Sequence, residues 1–203
     1  MNEVKLKGII RNIQYSHNIG DITYDKAELI VNRSNGQEDL INIKFKRFSN
    51  LNMENDEVAL KGNIRTFTDR LEDRNVVQQY VFTYFDEPKF SSETATNEVI
   101  IDGEICKLND IQILSNGKHL IRFVILNKIE KSNTSLNSYI HCVAFGRLAK
   151  IVSTFEVGDN VVINGEMHSH TYKKAVSEDN FELRLSHEVF VTDINKKEKS
   201  TED

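Results

Sequence analysis

Six residues in the second half of the 203-residue chain have types and spacings suited to holding nucleic-acid bases. They are Tyr139, His141, Phe145, His168, His170 and Tyr172. Alternate residues of a β-strand share one face, so a strand that turns Cys142 inward presents the first three outward, and one that turns Met167 inward presents the others. Such rings stack on bases of any sequence, because every base has a π-face. The alternative is that Tyr139 and Phe145 merely extend a hydrophobic core.

The three histidines of this set are also the best candidates for a metal site. Three imidazoles can hold Zn²⁺ with one position open. However, no carboxylate is spaced to orient such an ion, and Cys142 alternates to the opposite face. We therefore expect no metal and no other cofactor. We expect the imidazoles to stack on or hydrogen-bond to nucleic acid, with binding that depends modestly on pH near about 6.5.

Charge and motifs exclude several classes of function. The chain has 26 basic and 31 acidic residues, a net charge of -5, which argues against a polycationic nucleic-acid binder but permits a local basic surface. No Gly-rich phosphate loop, nucleophile elbow or carboxylate pair for two-metal cleavage is present, so we expect no enzyme. No apolar run approaches the ~18 residues that cross a bilayer, and no signal peptide is recognisable, so we expect a cytoplasmic protein.

Lysines accompany the aromatic residues. Lys173 and Lys174 follow Tyr172 directly, while Lys128 and Lys131 fall in a polar segment, residues 127–137, that we predict to be a loop. Basic side chains beside a stacking surface track the phosphates of a single strand. We predict that these four lysines contact the nucleic-acid backbone.

The elements that position these residues occur twice in the chain. Residues 2–10 return as residues 97–105, and residues 56–64 return as residues 159–167. The offset is 95 residues at the first pair and 103 at the second, so the second copy has eight extra residues between them. A period this long indicates two domains, each large enough to bury its own core.

Each copy has the pattern of a small β-barrel. Apolar residues alternate with period two over most long stretches, which predicts strands. The predicted strands are residues 4–15, 27–32, 39–46, 57–67 and 76–85 in the first copy, and 97–108, 118–126, 138–145, 159–172 and 181–191 in the second. A helix is predicted at 147–154, and at 48–56 only a turn or short helix. Asn35-Gly36 predicts a two-residue hairpin turn.

Five strands with a helix between the third and fourth are the order of an OB-fold, a partly open Greek-key barrel. We predict an all-β chain of two tandem OB-folds, with Gly8 and Gly103 permitting a sharp bend of the first strand. The expected divisions are residues 1–88 for the first domain, 89–96 for a linker, 97–194 for the second domain and 195–203 for a disordered tail.

The first copy has basic residues where the second has aromatic ones. Alternation turns Lys44 and Lys46 outward beside Arg47, and the fourth strand adds Arg65 and Phe67 to the same face. We predict that this face holds phosphates more than it stacks bases. The alternative is a solvated charged face that binds nothing.

The second copy resembles the single-stranded DNA-binding proteins of bacteria and phages. In residues 139–150 an aromatic residue opens a strand and Phe-Gly-Arg-Leu-Ala closes it, and residues 157–167 are similar to the turn and fourth strand of that family. The resemblance implies base stacking by Tyr139, Phe145 and Tyr172, and little sequence specificity. The family's acidic tail with an apolar tip is missing, so we expect no partner recruitment of that type.

The resemblance implies a protein that protects or organises single-stranded DNA during replication, recombination or transfer. Because the family works with four such domains, we expect a homodimer of this two-domain chain. Two alternatives stay open, an OB-fold module that binds a protein partner, as in primosome accessory proteins, and an RNA-binding protein. Steep loss of affinity with salt would distinguish nucleic-acid binding from an apolar protein contact.

Overall fold

Strands dominate the computed structural model, which describes residues 1–47, 53–70, 75–83, 97–131, 134–175 and 181–197. The first domain contains β1 (Asn2–Ile19), β2 (Ile22–Asn32), β3 (Glu38–Lys46), β4 (Glu57–Arg70) and β5 (Asn75–Thr83). The second contains β6 (Asn97–Leu108), β7 (Gln112–Ile113), β8 (His119–Lys131), β9 (Thr134–Phe145), α1 (Gly146–Val152), β10 (Asn160–Ala175) and β11 (Phe181–Lys196). Within these ranges no helix has the length and apolar character needed to cross a bilayer.

Each domain closes into a five-stranded barrel. In the first, antiparallel pairs join β1 to β2, β2 to β3, β4 to β5 and β4 to β1, and a short parallel pair joins β3 to β5. In the second, β6, β8, β9, β11 and β10 repeat this circuit, again with one parallel pair, β9 with β11. The predicted all-β class with two tandem OB-folds is confirmed.

The same side-chain clamp fixes corresponding strands in both barrels. Asn2 donates from Nδ2 to the Ile64 carbonyl at 2.9 Å and accepts the Ile64 amide at 2.8 Å. Asn97 does the same with Met167, at 2.8 Å in both directions. Asn2 therefore corresponds to Asn97, and Ile64 to Met167, as in the alignment of the repeat.

Close strand packing explains the glycines of the two first strands. A Cβ on Gly8 would lie 2.2 Å from the Ile30 carbonyl oxygen, and one on Gly103 would lie 2.7 Å from that of Leu126. Any side chain here would push the second strand away from the first. These glycines permit a close backbone approach, in addition to the bend that the sequence predicted.

The hairpin predicted at Asn35-Gly36 is present, but its turn is of another type. The Arg33 amide donates to the Gln37 carbonyl at 2.8 Å, and the Gly36 amide donates to the Arg33 carbonyl at 3.0 Å. Only Gly36 has positive φ, at 80°, so the turn is a type I turn followed by a glycine bulge. The two-residue turn was wrong because Asn35 instead uses its Oδ1 to accept the Gln37 amide at 3.0 Å.

Several other boundaries differ from the predicted ones, and three of them change the expected loop, tail and helix. Residues 127–137 are mostly strand, because β8 runs to Lys131 and β9 begins at Thr134. The last strand extends to Lys196, where it pairs with Val161, so the first residues of the expected tail are ordered. Helix α1 ends at Val152, two residues early, with Ala149 and Val152 buried.

Some predictions fall on residues that the structure does not describe. The proposed linker at 89–96 lies outside the described residues, as do 48–52 and 198–203. The domain boundaries and the disordered tail therefore stay predictions.

The two barrels are joined as an intramolecular pseudo-dimer. Strands β1 and β6 pair antiparallel, with Val4 opposite Val99, Asn2 opposite Ile101 and Leu6 opposite Asn97. Val4 and Val99 are equivalent positions of the repeat, and the flanking pairs exchange equivalent residues. An approximate two-fold axis therefore passes between Val4 and Val99, as in an isologous interface.

Side chains repeat this symmetry elsewhere in the contact surface between the two barrels, which we call the seam. The Leu40 amide donates to Ser169 Oγ at 2.9 Å, and the equivalent Tyr139 amide donates to Thr66 Oγ1 at 3.0 Å. These donors need partners because the parallel pairs, β3 with β5 and β9 with β11, span only two residues each. Each barrel thus completes the backbone hydrogen bonding of the other.

The second symmetric pair uses unlike side chains. The His141 amide donates to Gln79 Oε1 at 2.8 Å. At the equivalent place, the Asn42 amide lies 3.3 Å from His187 Nε2, which is also 2.9 Å from the Leu40 carbonyl oxygen. His187 is buried in this seam. A titratable group therefore stands on one side of the axis and an amide on the other.

Candidate nucleic-acid interface

A row of three stacked rings lies on the outer face of the second barrel. The ring of Phe190 stacks on Phe145, with centroids 5.2 Å apart and planes 23° apart, and on His168, at 5.0 Å and 29°. We call Phe145, Phe190 and His168 the aromatic row. Phe190, the central ring, was missed by the sequence analysis, although the inward-facing Val189 and Val191 on either side of it mark it as outward.

The other predicted stacking residues extend from this row. His170 and Tyr172 continue along β10, with ring centroids 6.1 Å apart. Tyr172 is 41% exposed and Tyr139 is 48% exposed, so both rings are accessible to a ligand. His141 is exposed on the same strand as Tyr139. The structure thus gathers the predicted aromatic and histidine residues on β9 and β10, the two strands that pair with β11.

The predicted lysines of this domain lie on β8 and at the end of β10. Lys173 and Lys174 are exposed at the end of β10, and Lys128 is exposed on β8. The side chain of Lys131 lies outside the described part of the chain. Because residues 128 and 131 belong to a strand rather than a loop, Lys128 projects from a hairpin whose path is fixed by pairing with β9.

The aromatic row forms the floor of a cleft of about 480 Å³. Charged and polar contacts surround the floor. Arg122 Nε lies 3.2 Å from Glu188 Oε2, His170 Nδ1 lies 3.7 Å from Glu188 Oε1, and His168 Nε2 lies 3.1 Å from Glu166 Oε2. Arg122 thus balances Glu188, and the two histidines place their ring nitrogens beside carboxylates.

The histidines do not converge on a common point. Among the described residues, no group of three or more His, Cys, Asp and Glu side chains is arranged to hold a metal ion. His168 and His170 instead contact carboxylates on their own sheet face, and His141 uses its backbone amide in the domain seam. The cleft is suited to stacking and hydrogen bonding.

Lys44 of the first domain is not available to phosphates. Its Nζ lies 4.1 Å from the centroid of the Phe67 ring and 4.2 Å from that of Tyr80, and the residue is only 5% exposed. Alternation placed Lys44 on the outer face correctly, but two rings cover it through cation–π contacts. The structure therefore shows a covered Lys44 where the sequence predicts a contact with nucleic acid.

The remaining basic residues of that face are also engaged, with one exception. The Arg65 guanidinium lies 3.9 Å from the Phe82 ring centroid. Arg47 donates from Nε and Nη2 to the buried Asp25, at 2.9 and 2.5 Å. Lys46 is exposed at the end of β3.

The repeat relates these rings to the aromatic row. Phe82 and Phe190 occupy the same position in the parallel strand pairs, and Arg65 corresponds to His168. Arg65 covers a buried ring in the first barrel, whereas the Phe190 ring of the second barrel borders the cleft. The two outer faces are therefore chemically unequal.

The fold and the aromatic row together define a class of protein. Two closed five-stranded barrels with a helix below the second, and a row of rings on an outer face beside lysines, form a tandem OB-fold protein with a surface for unpaired bases. Residues 96–195 match the model of the single-strand binding protein family. The match covers the second domain and confirms the resemblance found from its motifs.

Solved structures show the same fold over the whole chain. The chain is similar to a deletion mutant, which also carries one arginine-to-alanine substitution, of the single-stranded DNA binding protein from Thermus aquaticus, with 15% identity, a TM-score of 0.74 and coverage of 100% of this chain and 98% of the other. The wild-type Thermus aquaticus protein gives 15% identity and a TM-score of 0.73, with 100% and 96% covered. Comparison with the curated proteins gave no match.

Proposed function

We propose that this chain binds single-stranded DNA largely without sequence specificity, and that the second barrel holds the bases. The observation that carries the proposal is the aromatic row, whose three stacked and half-buried rings line an open cleft. Stacking contributes about 1 to 3 kcal/mol per base and tolerates any sequence. The match of residues 96–195 to the single-strand binding protein family supports the same conclusion.

The phosphates of the strand run beside the row. Lys173 and Lys174 follow Tyr172 at the end of β10, Lys128 lies on β8, and Arg122 borders the cleft. The first barrel contributes little stacking, because Lys44 and Arg65 cover its rings. The chain acts as a binding protein without catalysis, in the cytoplasm, in replication, recombination or DNA transfer.

The proposed working form is a homodimer that brings four barrels together. Two apolar side chains support this part of the proposal, since Phe181 is 65% and Leu183 is 68% exposed on one face of the β10–β11 hairpin. Exposed apolar side chains at adjacent positions on a strand face mark a contact surface. Sedimentation should give twice the chain mass, and the double variant Phe181→Ser, Leu183→Ser should sediment as a monomer.

The proposal is tested by fluorescence anisotropy with single-stranded and double-stranded DNA of one sequence. Single-stranded DNA should bind more tightly, and its affinity should fall steeply between about 50 and 200 mM salt through counterion release. Equal binding of both forms would contradict the proposal. Tighter binding of RNA of the same sequence would assign the surface to RNA. No nucleic-acid binding would favour a protein partner.

A further inference from the structure

The cleft above the aromatic row has a wall that comes from the other domain. Arg33, Ser34 and Asn35, in the turn between β2 and β3 of the first barrel, line it together with the rings of the second barrel. The floor is apolar and aromatic, whereas this wall is polar and carries a guanidinium. A strand whose bases lie on the floor therefore turns its sugar–phosphate backbone toward the turn.

A buried ionic contact holds the turn in place. Arg33 donates from Nε and Nη2 to the two Asp39 oxygens, at 2.6 and 2.5 Å, and Asp39 is fully buried. Asp39 also accepts the Ser169 amide of the second barrel at 2.6 Å, and Arg33 Nη2 lies 3.3 Å from the Ser169 carbonyl oxygen. Burial alone would raise the pKa of Asp39, but the Arg33 and Ser169 hydrogen bonds lower it. The turn is thus tied to the strand that carries His168 and His170.

We propose that the turn at residues 33–35 is part of the DNA site of the second barrel. Arg33 and the exposed Ser34 face the phosphates of a strand stacked on the row, so the site is complete only when the two barrels are docked. The proposal rests on single-stranded DNA binding by the second barrel. It adds to that site a contact from the turn between β2 and β3 of the first barrel.

Direct replacement of Arg33 would leave the buried Asp39 without its charged partner. Breaking such a pair lowers the free energy of unfolding by several kcal/mol. Ser34 avoids this difficulty because it is exposed at the tip of the turn. Ser34→Asp places a negative charge on the wall, and Ser34→Lys places a positive one. Both leave the contact between Arg33 and Asp39 intact.

The chain provides a matched control turn. Ser115 occupies the same place in Leu114-Ser115-Asn116-Gly117-Lys118, where the Leu114 amide donates to the Lys118 carbonyl at 2.9 Å and the Gly117 amide to the Leu114 carbonyl at 2.8 Å. Gly117 has φ of 78°, against 80° for Gly36. Ser115 is exposed and does not line the cleft, so Ser115→Asp makes the same charge change on the same turn type.

The experiment titrates labelled oligothymidine with each variant at low salt, after thermal unfolding has confirmed equal stability. Ser34→Asp should weaken binding about five-fold and Ser115→Asp less than two-fold, as expected for a unit charge near a phosphate against one farther away. Ser34→Lys should strengthen binding by a similar factor. Equal effects at the two turns would overturn the inference while leaving the proposed function standing. Failure of the wild-type chain to bind would instead contradict the proposed function.

Discussion

Phe190 shows that alternation in the sequence predicts the strand face of a residue but not which strands lie beside it. Alternation on β9 and β10 correctly grouped the aromatic and histidine residues, because a strand's two faces follow directly from its sequence. The same rule would have found Phe190 between Val189 and Val191, but only once β11 was known to lie beside β9. Exposure was less predictable, as Lys44 is outward on its strand and still covered by Phe67 and Tyr80.

Two tyrosines test the extent of the stacking surface. Tyr139→Ala and Tyr172→Ala should each weaken oligothymidine binding by about 1 to 3 kcal/mol, the usual contribution of a base stack. Tyr15→Ala is the control, since Tyr15 is an exposed tyrosine of the first domain. Unchanged affinity in both test variants would remove these residues from the site.

Lysine replacements distinguish covered from phosphate-binding side chains. Lys44→Met should leave the salt dependence of DNA binding unchanged, because the Lys44 ammonium lies between two rings. Lys173→Met removes a phosphate contact and should reduce the slope of log K against log salt by about 0.7. The measurement is an anisotropy titration at several salt concentrations. A reduced slope in Lys44→Met would mean that Lys44 reaches the DNA.

At the scale of the elements, the alternating pattern predicted every barrel strand but not where several of them end. Residues 127–137 look like a loop because they are polar, yet Asn127 is buried and donates to the carbonyls of Met1 and Asp102 at 2.9 and 2.7 Å. A polar residue that is satisfied by distant backbone cannot be told from a loop residue in the sequence. The hairpin at Asn35 was predicted from its Asn-Gly pair, while its bulge was not.

Glycines beneath the two equivalent phenylalanines connect an element to the site. A Cβ on Gly165 would lie 2.5 Å from the Phe190 carbonyl oxygen, and one on Gly62 would lie 2.3 Å from that of Phe82. Gly165→Ala and Gly62→Ala should each lower the free energy of unfolding by about 1 to 3 kcal/mol. Only Gly165→Ala should also weaken DNA binding, because it displaces the strand that carries Phe190, the central ring of the aromatic row. Urea unfolding and anisotropy measure the two effects, and equal loss of DNA binding in both variants would contradict the unequal roles of the barrels.

For the whole molecule, the internal repeat predicted two domains but not how they dock. The β1–β6 pairing and the seam contacts of Thr66, Ser169 and His187 belong to no sequence motif. The side-chain contacts follow from amides of β3 and β9 that the short parallel pairs leave without strand partners. Docking of the barrels about the pseudo-two-fold axis also explains why residues of the first barrel line the cleft of the second. Such contacts depend on three-dimensional placement, which a strand pattern does not encode.

The seam should make stability depend on pH. Burial lowers the pKa of His187, so the folded chain holds it neutral while the unfolded chain takes up a proton below about pH 6.5. The unfolded state then binds more protons, and stability falls as pH drops from about 7.5 to 5.5. His187→Gln copies Gln79 across the axis and should reduce this loss.

The reverse change, Gln79→His, should increase the loss of stability on acidification. Urea unfolding at both pH values measures the effect. A wild-type pH dependence that His187→Gln leaves unaltered would show that His187 does not titrate with unfolding.

The most direct test of base binding by the second barrel compares the two equivalent phenylalanines. Phe190→Leu removes the central ring of the aromatic row, and Phe82→Leu removes the ring that Arg65 covers. Oligothymidine titration of both folded variants should show a loss of about 1 to 3 kcal/mol for Phe190→Leu and almost none for Phe82→Leu. Equal losses, or a larger loss for Phe82→Leu, would contradict the assignment of base binding to the second barrel.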